Sequence, residues 1–264
     1  MARFCPLASS SAGNSTYLGT SSGAILIDAG ISCRQIGRSL ETLGASLGDI
    51  RAVLITHEHT DHIKGLATLL KQTGAAVYAT AGVLGYIENS LRLPQDCDLH
   101  EVTPGEEFGV GDLSVRAFST PHDSLGSVGY RVSIGENQDF AVATDLGEVT
   151  DEVFAGVCGA QTVLIESNYD PFLLKMGPYP WHLKARIASE HGHLSNDASA
   201  EFASRLLSTG TSRLILGHLS KENNNPALAR QTVGGVLTAS GARDGVDFEL
   251  SVAPYDAPGK PVRL

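Results

Sequence analysis

Short aliphatic and β-branched runs alternate with amphipathic stretches along nearly the whole chain. Residues 23–28, 51–56, 75–79, 113–120, 127–134, 140–144, 162–166 and 213–217 have the length and composition of strands. Between them, residues 32–43, 63–72, 196–208 and 226–239 repeat apolar positions at a spacing near 3.6, which predicts helices, with Ser195 or Asn196 placed to cap the third. The first residues also have strand character. No low-complexity linker, composition shift or fixed-period repeat interrupts the 264 residues, so a single mixed α/β domain spanning 1–264 is expected.

Several of these runs end on a residue able to bind a metal: Leu54-Ile55-Thr56-His57, Ser119-Thr120-Pro121-His122, Ala143-Thr144-Asp145 and Leu216-Gly217-His218. Strand ends that converge on one rim make one site. The densest cluster is His57-Glu58-His59-Thr60-Asp61-His62. In a turn after a strand, two imidazoles at this spacing can chelate one metal while the carboxylate and the third imidazole face a second. Imidazole with carboxylate suits Zn²⁺, Mn²⁺ or Fe²⁺. A solvated polar loop is the competing reading, and the density of histidines and acids directly after an apolar strand argues against it. His122, Asp145 and His218 are the remaining ligand candidates. Taken singly, His122 can cap a turn and Asp145 can occupy one; their order after the first cluster favours ligation.

Composition narrows the class. Hydrophobic residues at 42% and charged residues at 18% are ordinary for a globular protein and exclude a disordered chain. No apolar stretch approaches the roughly 20 residues of a membrane span. The start, Met1-Ala2-Arg3-Phe4-Cys5-Pro6, lacks the layout of a signal peptide, so a cytoplasmic location is expected. Cys5, Cys33, Cys97 and Cys158 form no C-x-x-C pair and are read as reduced and mostly buried. A net charge of −10 works against broad contact with nucleic acid, so any such contact must be local. A metal pair would make its own surroundings positive despite that balance.

The run Thr56-His57-Glu58-His59-Thr60-Asp61-His62, followed by spaced His122, Asp145 and His218, resembles the metallo-β-lactamase superfamily over almost the whole chain. The resemblance implies an αββα four-layer sandwich with metals at one edge. It implies His57, His59 and His122 on one ion, Asp61, His62 and His218 on a second, and Asp145 bridging both. Asp28, in Ile25-Leu26-Ile27-Asp28-Ala29-Gly30, matches an early Asp that orients ligands. Two divalent ions, Mn or Zn, would then lower the pKa of a shared water toward about 7 and clamp the attacking and leaving oxygens.

Glu166-Ser167-Asn168-Tyr169-Asp170, Gly192-His193-Leu194-Ser195-Asn196 and the segment from Leu216 to Asn224 look like the YycJ/WalJ group of nucleases with that fold. Leu7-Ala8-Ser9-Ser10-Ser11-Ala12-Gly13-Asn14-Ser15 is similar to that group's opening loop, with departures at Ser10 and Ala12. The resemblance implies a metal-dependent phosphodiesterase acting as a 5′-to-3′ exonuclease on DNA or RNA. The Glu-then-His order is also similar to ribonuclease Z, which implies that Glu166 positions His193 to protonate the leaving oxygen. Phosphodiester cleavage expels an alkoxide, and an imidazolium held by a carboxylate suits that task. The other reading of His193 is a residue that merely precedes the helix cap. Asp61, Glu166 and His193 are thus the catalytic candidates beside the ligands.

Ser11, Asn14, Asn168, Ser195 and Lys221 are candidate substrate contacts. The loop 9–15 can offer amides and hydroxyls to a phosphate, or can be a tight connection between two strands. Lys175, Lys184, Arg186 and Lys221 can line a phosphate track or form a solvated face; Tyr169, Tyr179 and Trp181 can stack bases or pack. His100, His182 and His191 read as surface or partly buried histidines. The interval from Asp145 to His218 leaves no room for a large inserted domain. A nucleic-acid clamp must then come from short loops or from a second subunit in a homodimer.

The rival enzyme class is a small-molecule thioester or lactone hydrolase, because the same ligands polarise carbonyls. The Glu166/His193 pair argues against it. A noncatalytic metal-bound scaffold is disfavoured by the complete ligand set. An Asp rather than Cys at 145 disfavours a β-lactamase, and His59, where di-iron flavoproteins have Glu, disfavours that class.

Overall fold

Neighbouring parallel strands need a crossover between them, and in this protein helices supply it. The computed structural model describes residues 2–135 and 138–263. Two compact units are formed, one from Met1–Ala117, Ser124–Val128 and Pro254–Leu264, the other from Phe118–Asp123 and Gly129–Ala253.

The first unit contains, in order, β1 (Arg3–Ser10), β2 (Gly13–Gly19), β3 (Ala24–Ile27), α1 (Cys33–Thr42), β4 (Ile50–Leu54), α2 (Thr60–Ile63), α3 (Leu66–Thr73), β5 (Ala76–Ala79), α4 (Ala81–Ser90) and β6 (Leu99–Glu101). The chain continues through β7 (Glu107–Val110) and β8 (Leu113–Ser119) and ends on β14 (Val262–Arg263). The sheet order is β14-β1-β2-β3-β4-β5-β6. It is antiparallel as far as β3 and parallel from β3 to β6. Leu26, Val53 and Val77 from the central strands share a core with Ile36 and Leu40 of α1, Leu66 and Leu70 of α3, and Val83 and Ile87 of α4.

The second unit follows with β9 (Val128–Ile134), β10 (Gln138–Ala143), α5 (Asp151–Val157), β11 (Thr162–Glu166), α6 (Pro171–Met176), α7 (Trp181–Ile187), α8 (Asn196–Leu207), β12 (Arg213–Gly217), α9 (Pro226–Ala239) and β13 (Glu249–Val252). The order of the second sheet is β13-β12-β11-β10-β9-β8-β7. Strands β10 to β13 are parallel. Every residue of β11 is buried, as a strand covered on both faces requires. Ser195 caps α8 by accepting from the Ala198 N–H, and Asn225 caps α9 with Pro226 in its first turn.

The predicted strands all occur, and three of the predicted helices match within a residue or two. The helix expected over 63–72 is instead divided into α2 and α3. Gly65 interrupts it because its N–H donates to the Ala29 carbonyl at 2.7 Å. A Cβ there would lie 2.1 Å from the Ile31 oxygen, so the chain leaving β3 presses directly on the helix backbone. Cys5 and Cys33 are buried, Cys97 and Cys158 are half-buried, and all are unbridged. Burial pushes the Cys5 thiol up to about 11, which leaves it inert as a nucleophile. Among the described residues no helix is long and apolar enough to cross a membrane.

Candidate metal centre

In the first unit, β3 and β4 end side by side: the Asp28 N–H donates to the Leu54 carbonyl at 2.8 Å. Asp28 is buried and takes a left-handed backbone conformation, φ +61°. Its Oδ1 accepts from the Thr56 N–H at 2.8 Å, and its Oδ2 accepts from His62 Nδ1, also at 2.8 Å. The Thr56 hydroxyl donates to the same carboxylate and lies 3.1 Å from His57 Nδ1. One carboxylate therefore orients His62 directly and His57 through Thr56, placing the lone pair of each ring on Nε2.

His59 caps α2, whose single turn carries Asp61 and His62. The rings of His57 and His59 meet edge to face at 4.6 Å, and those of His57 and His62 lie 4.0 Å apart. Asp61 Oδ2 is 3.5 Å from His62 Nε2. Asn14 is buried; its side chain bonds both the N–H and the carbonyl of Ser10 and lies 3.1 Å from His62 Nε2. Gly30 completes the cradle, because a Cβ there would lie 1.6 Å from the Asp61 carbonyl oxygen and would push the α2 turn away.

In the second unit, the register pairs Ala143 with Ile165 and Glu166 with Gly217. Asp145, Glu166 and His218 consequently stand at the carboxyl ends of three adjacent parallel strands, where open α/β sheets place ligands. Asp145 and His218 both have left-handed backbones, φ +60° and +53°. The loop between α7 and α8 brings in His193, docked by hydrogen bonds from the Asn168 N–H to the Leu194 carbonyl and from the Asn196 N–H to the Tyr169 carbonyl. Asp145, Glu166, His193 and His218 present ligand atoms all within 4.8 Å of one another, a cluster able to hold a metal ion. His122 Nδ1 donates to the Gly192 carbonyl at 3.0 Å, and its Nε2 lies 3.8 Å from Asp145 Oδ1.

Glu166 is the hub. Its Oε1 lies 2.8 Å from Nδ1 of both His193 and His218, while its Oε2 accepts from the N–H groups of Leu146 and Leu194. Burial opposes ionisation of this fully enclosed side chain most strongly, yet the charges and hydrogen bonds of His193 and His218 hold its carboxyl well below the usual carboxylate range. With both Nδ1–H groups directed at Glu166, the Nε2 atoms of His193 and His218 become the working nitrogens.

The second partner of Glu166, His218, was not foreseen in the sequence. Nor was the buried amide network beneath it, in which Asn224 donates to the Ser167 carbonyl and to Asn196, and Ser167 donates to Asn196 Oδ1. Asn168 is buried and donates to the His218 carbonyl, and Ser195 serves as the α8 cap. Ser11 and Lys221 are exposed. Arg186 forms a two-pronged ion pair with Asp123, at 2.5 and 2.9 Å, which anchors α7 beside His122. His182 and His191 are exposed, and His100 stacks on Tyr78 at 4.5 Å.

The β-lactamase superfamily domain matches residues 24–219. The chain is 38% identical to exodeoxyribonuclease WalJ of Streptococcus pneumoniae over 250 residues, 94% of this chain and 93% of that one. It is 35% identical to exodeoxyribonuclease YycJ of Bacillus anthracis over 248 residues, with the same two shares. Among solved structures, the metallo-β-lactamase fold protein YhfI of Bacillus subtilis aligns with TM-score 0.73 at 14% identity, covering 98% of both chains. Zn²⁺-bound PqqB of Methylobacterium extorquens aligns with TM-score 0.75 at 20% identity, covering 99% of this chain and 100% of that one. With its α/β sandwich architecture and its His/Asp clusters at strand ends, the chain belongs to the β-lactamase superfamily, in the same family as the WalJ and YycJ exodeoxyribonucleases.

Proposed function

We propose that this protein is a metal-dependent exonuclease that hydrolyses phosphodiester bonds of DNA from the 5′ end, acting in the cytoplasm. The observation that carries this reading is Glu166 Oε1, held 2.8 Å from both His193 and His218. A buried carboxylate that grips two imidazoles ties a proton donor to a neighbouring metal ligand. Cleavage that expels a poor alkoxide leaving group benefits from that pairing, whereas a thioester, which releases a thiolate, does not need it. The curated relatives that span the chain are named exodeoxyribonucleases, which supports the same reading.

In this proposal both units fold as one domain and share one dinuclear centre. His57, His59 and His122 would hold one ion, Asp61, His62 and His218 the other, and Asp145 both. The residues fit a metal: Nδ1 of His57, His62, His122 and His218 is engaged by a hydroxyl, a carboxylate or a carbonyl, the arrangement that keeps Nε2 neutral and oriented for ligation. Neutral imidazole with carboxylate suits Zn²⁺ or Mn²⁺. Bound there, such ions polarise the phosphoryl oxygens and make hydroxide available at neutral pH. Asp61 adds negative charge to the ligand set. His193, half-buried and backed by Glu166, donates a proton from Nε2 to the departing sugar oxygen. Ser11 and Lys221, both exposed, would contact phosphate. Asn14, Asn168 and Ser195 hold the loops that carry the ligands.

A substrate panel tests this. Protein stripped by chelator and reloaded separately with Mn²⁺ or Zn²⁺ is expected to release mononucleotides from DNA, with a 5′ label leaving first. Preference for RNA, release of a 3′ label first, or faster turnover of thioesters than of DNA would overturn it.

Glu166→Gln supplies a second test. Its amide would set a donor against the N–H groups of Leu146 and Leu194, or else against the two imidazoles. Metal affinity is expected to fall about 10- to 100-fold, the scale for removing an outer partner of a ligand. Unaltered affinity by competitive chelation would remove Glu166 from the centre.

A further inference from the structure

Helices α6 and α7 flank an open groove of about 530 Å³, lined by Tyr169, Leu174, Lys175, Trp181 and Lys184. Trp181 is the one tryptophan of the chain and is 81% exposed; Phe172 and Met176, in the preceding helix α6, are 68% and 66% exposed. Large apolar side chains left open this close together in sequence are not the scattered exposure of an ordinary surface. The charge here also departs from that of the whole chain. Residues 171–189 contain Lys175, Lys184 and Arg186, the last paired with Asp123, and no Asp or Glu, in a protein of net charge −10. The Lys184 ammonium is fixed at the groove by the carbonyls of Lys175 and Gly177, both at 2.7 Å.

We propose that this groove is a stacking platform for the unpaired bases of a nucleic-acid strand, with Trp181 as the principal base contact. The inference rests on the nuclease reading and names where that substrate is held beyond the reacting phosphate. A flat aromatic surface framed by cations is complementary to a strand with apolar base faces and an anionic backbone. The groove is also built from the residues that carry His193. The His193 N–H donates to the Ile187 carbonyl at the end of α7, at 2.9 Å, and the Tyr169 carbonyl accepts from the N–H of Asn196, where that loop enters α8. In this proposal a strand whose scissile phosphate lies beside His193 sets its following bases on the adjoining α6–α7 surface. Stacking tolerates any base, so the platform gives grip without sequence preference.

The lone tryptophan is its own reporter. Oligothymidylate mixed with the full-length, metal-loaded protein and followed by stopped flow before turnover is expected to quench Trp181 fluorescence saturably, and less so as salt rises. Trp181→Ala is expected to lower kcat/KM for oligothymidylate relative to that for bis(p-nitrophenyl) phosphate by about 5- to 150-fold, the effect of losing one stacked base. Trp181→Phe should recover most of that ratio. Lys175→Glu should weaken oligothymidylate binding and leave the quench at saturation intact. Binding without quenching, or equal loss on both substrates in Trp181→Ala, would overturn the platform. So would sedimentation that shows a dimer dissolved by Trp181→Ala with oligonucleotide affinity unaltered, because the occupant would then be a second copy. Quenching by oligothymidylate in a protein that hydrolyses no nucleic acid would refute the nuclease reading and leave the platform standing.

Discussion

Asp145→Asn is expected to leave the protein folded but to reduce its metal content from the proposed two ions per chain to about one, with turnover lower by roughly 10²- to 10³-fold, the scale of removing a preorganised electrostatic contact. Asp145 Oδ1 lies 3.8 Å from His122 Nε2 and 3.5 Å from His218 Nε2, so one carboxylate faces two of the proposed ligands. Asparagine has the same shape and also tolerates φ near +60°, so the backbone at this strand end need not change. What disappears is a negative charge that would serve both ions, and the ion with the weaker remaining ligand set leaves first. Metal analysis of the purified variant, together with its rate on labelled DNA, reads both effects. Full occupancy with full turnover would sink the bridging role.

His193→Ala should behave in the opposite way, keeping both ions and losing chemistry. Its Nδ1 is committed to Glu166, and its side chain is about one-seventh exposed, which leaves Nε2 accessible to a substrate oxygen. Turnover of DNA is expected to fall by about 10²- to 10⁴-fold, the usual contribution of a positioned acid. An aryl phosphodiester, whose phenolate departs without a proton, should be slowed far less. The ratio of the two rates isolates the proton from every other defect of the variant. If both diesters slow equally, or if metal is lost, His193 is a structural or ligating residue instead.

The legible parts of the site are those whose residues are contiguous. His57, His59, Asp61 and His62 lie within six residues just after β4, so their spacing alone pointed to a cluster of ligand side chains. The bond between Glu166 and His218 depends on the parallel register that sets Glu166 beside Gly217, and no local pattern reports a register formed across fifty residues. Helices showed the same divide. α9 was visible because its apolar spacing is sustained from Pro226 to Ala239. α4 carries Gly82 and Gly85, which depress helix propensity, and Gly82 is there because a Cβ would lie 2.1 Å from the Leu125 oxygen. α6 and α7, at six and seven residues, are too short to display a period, so the groove between them could not be read in advance.

Asp28, Asp145 and His218 all hold left-handed backbones where strands end. Each such residue costs about 1 kcal/mol or more relative to an ordinary conformation, a sum that is appreciable against the roughly 5–15 kcal/mol by which a domain stays folded. Glycine would relieve the backbone strain at each position, but at Asp28 it would also leave the buried Thr56 N–H and His62 Nδ1 without their carboxylate acceptor, so the relief is offset by unpaired donors. The strain at these strand ends is therefore tied to the side chains that need it, and stabilising substitutions are to be sought in the helices and loops away from them.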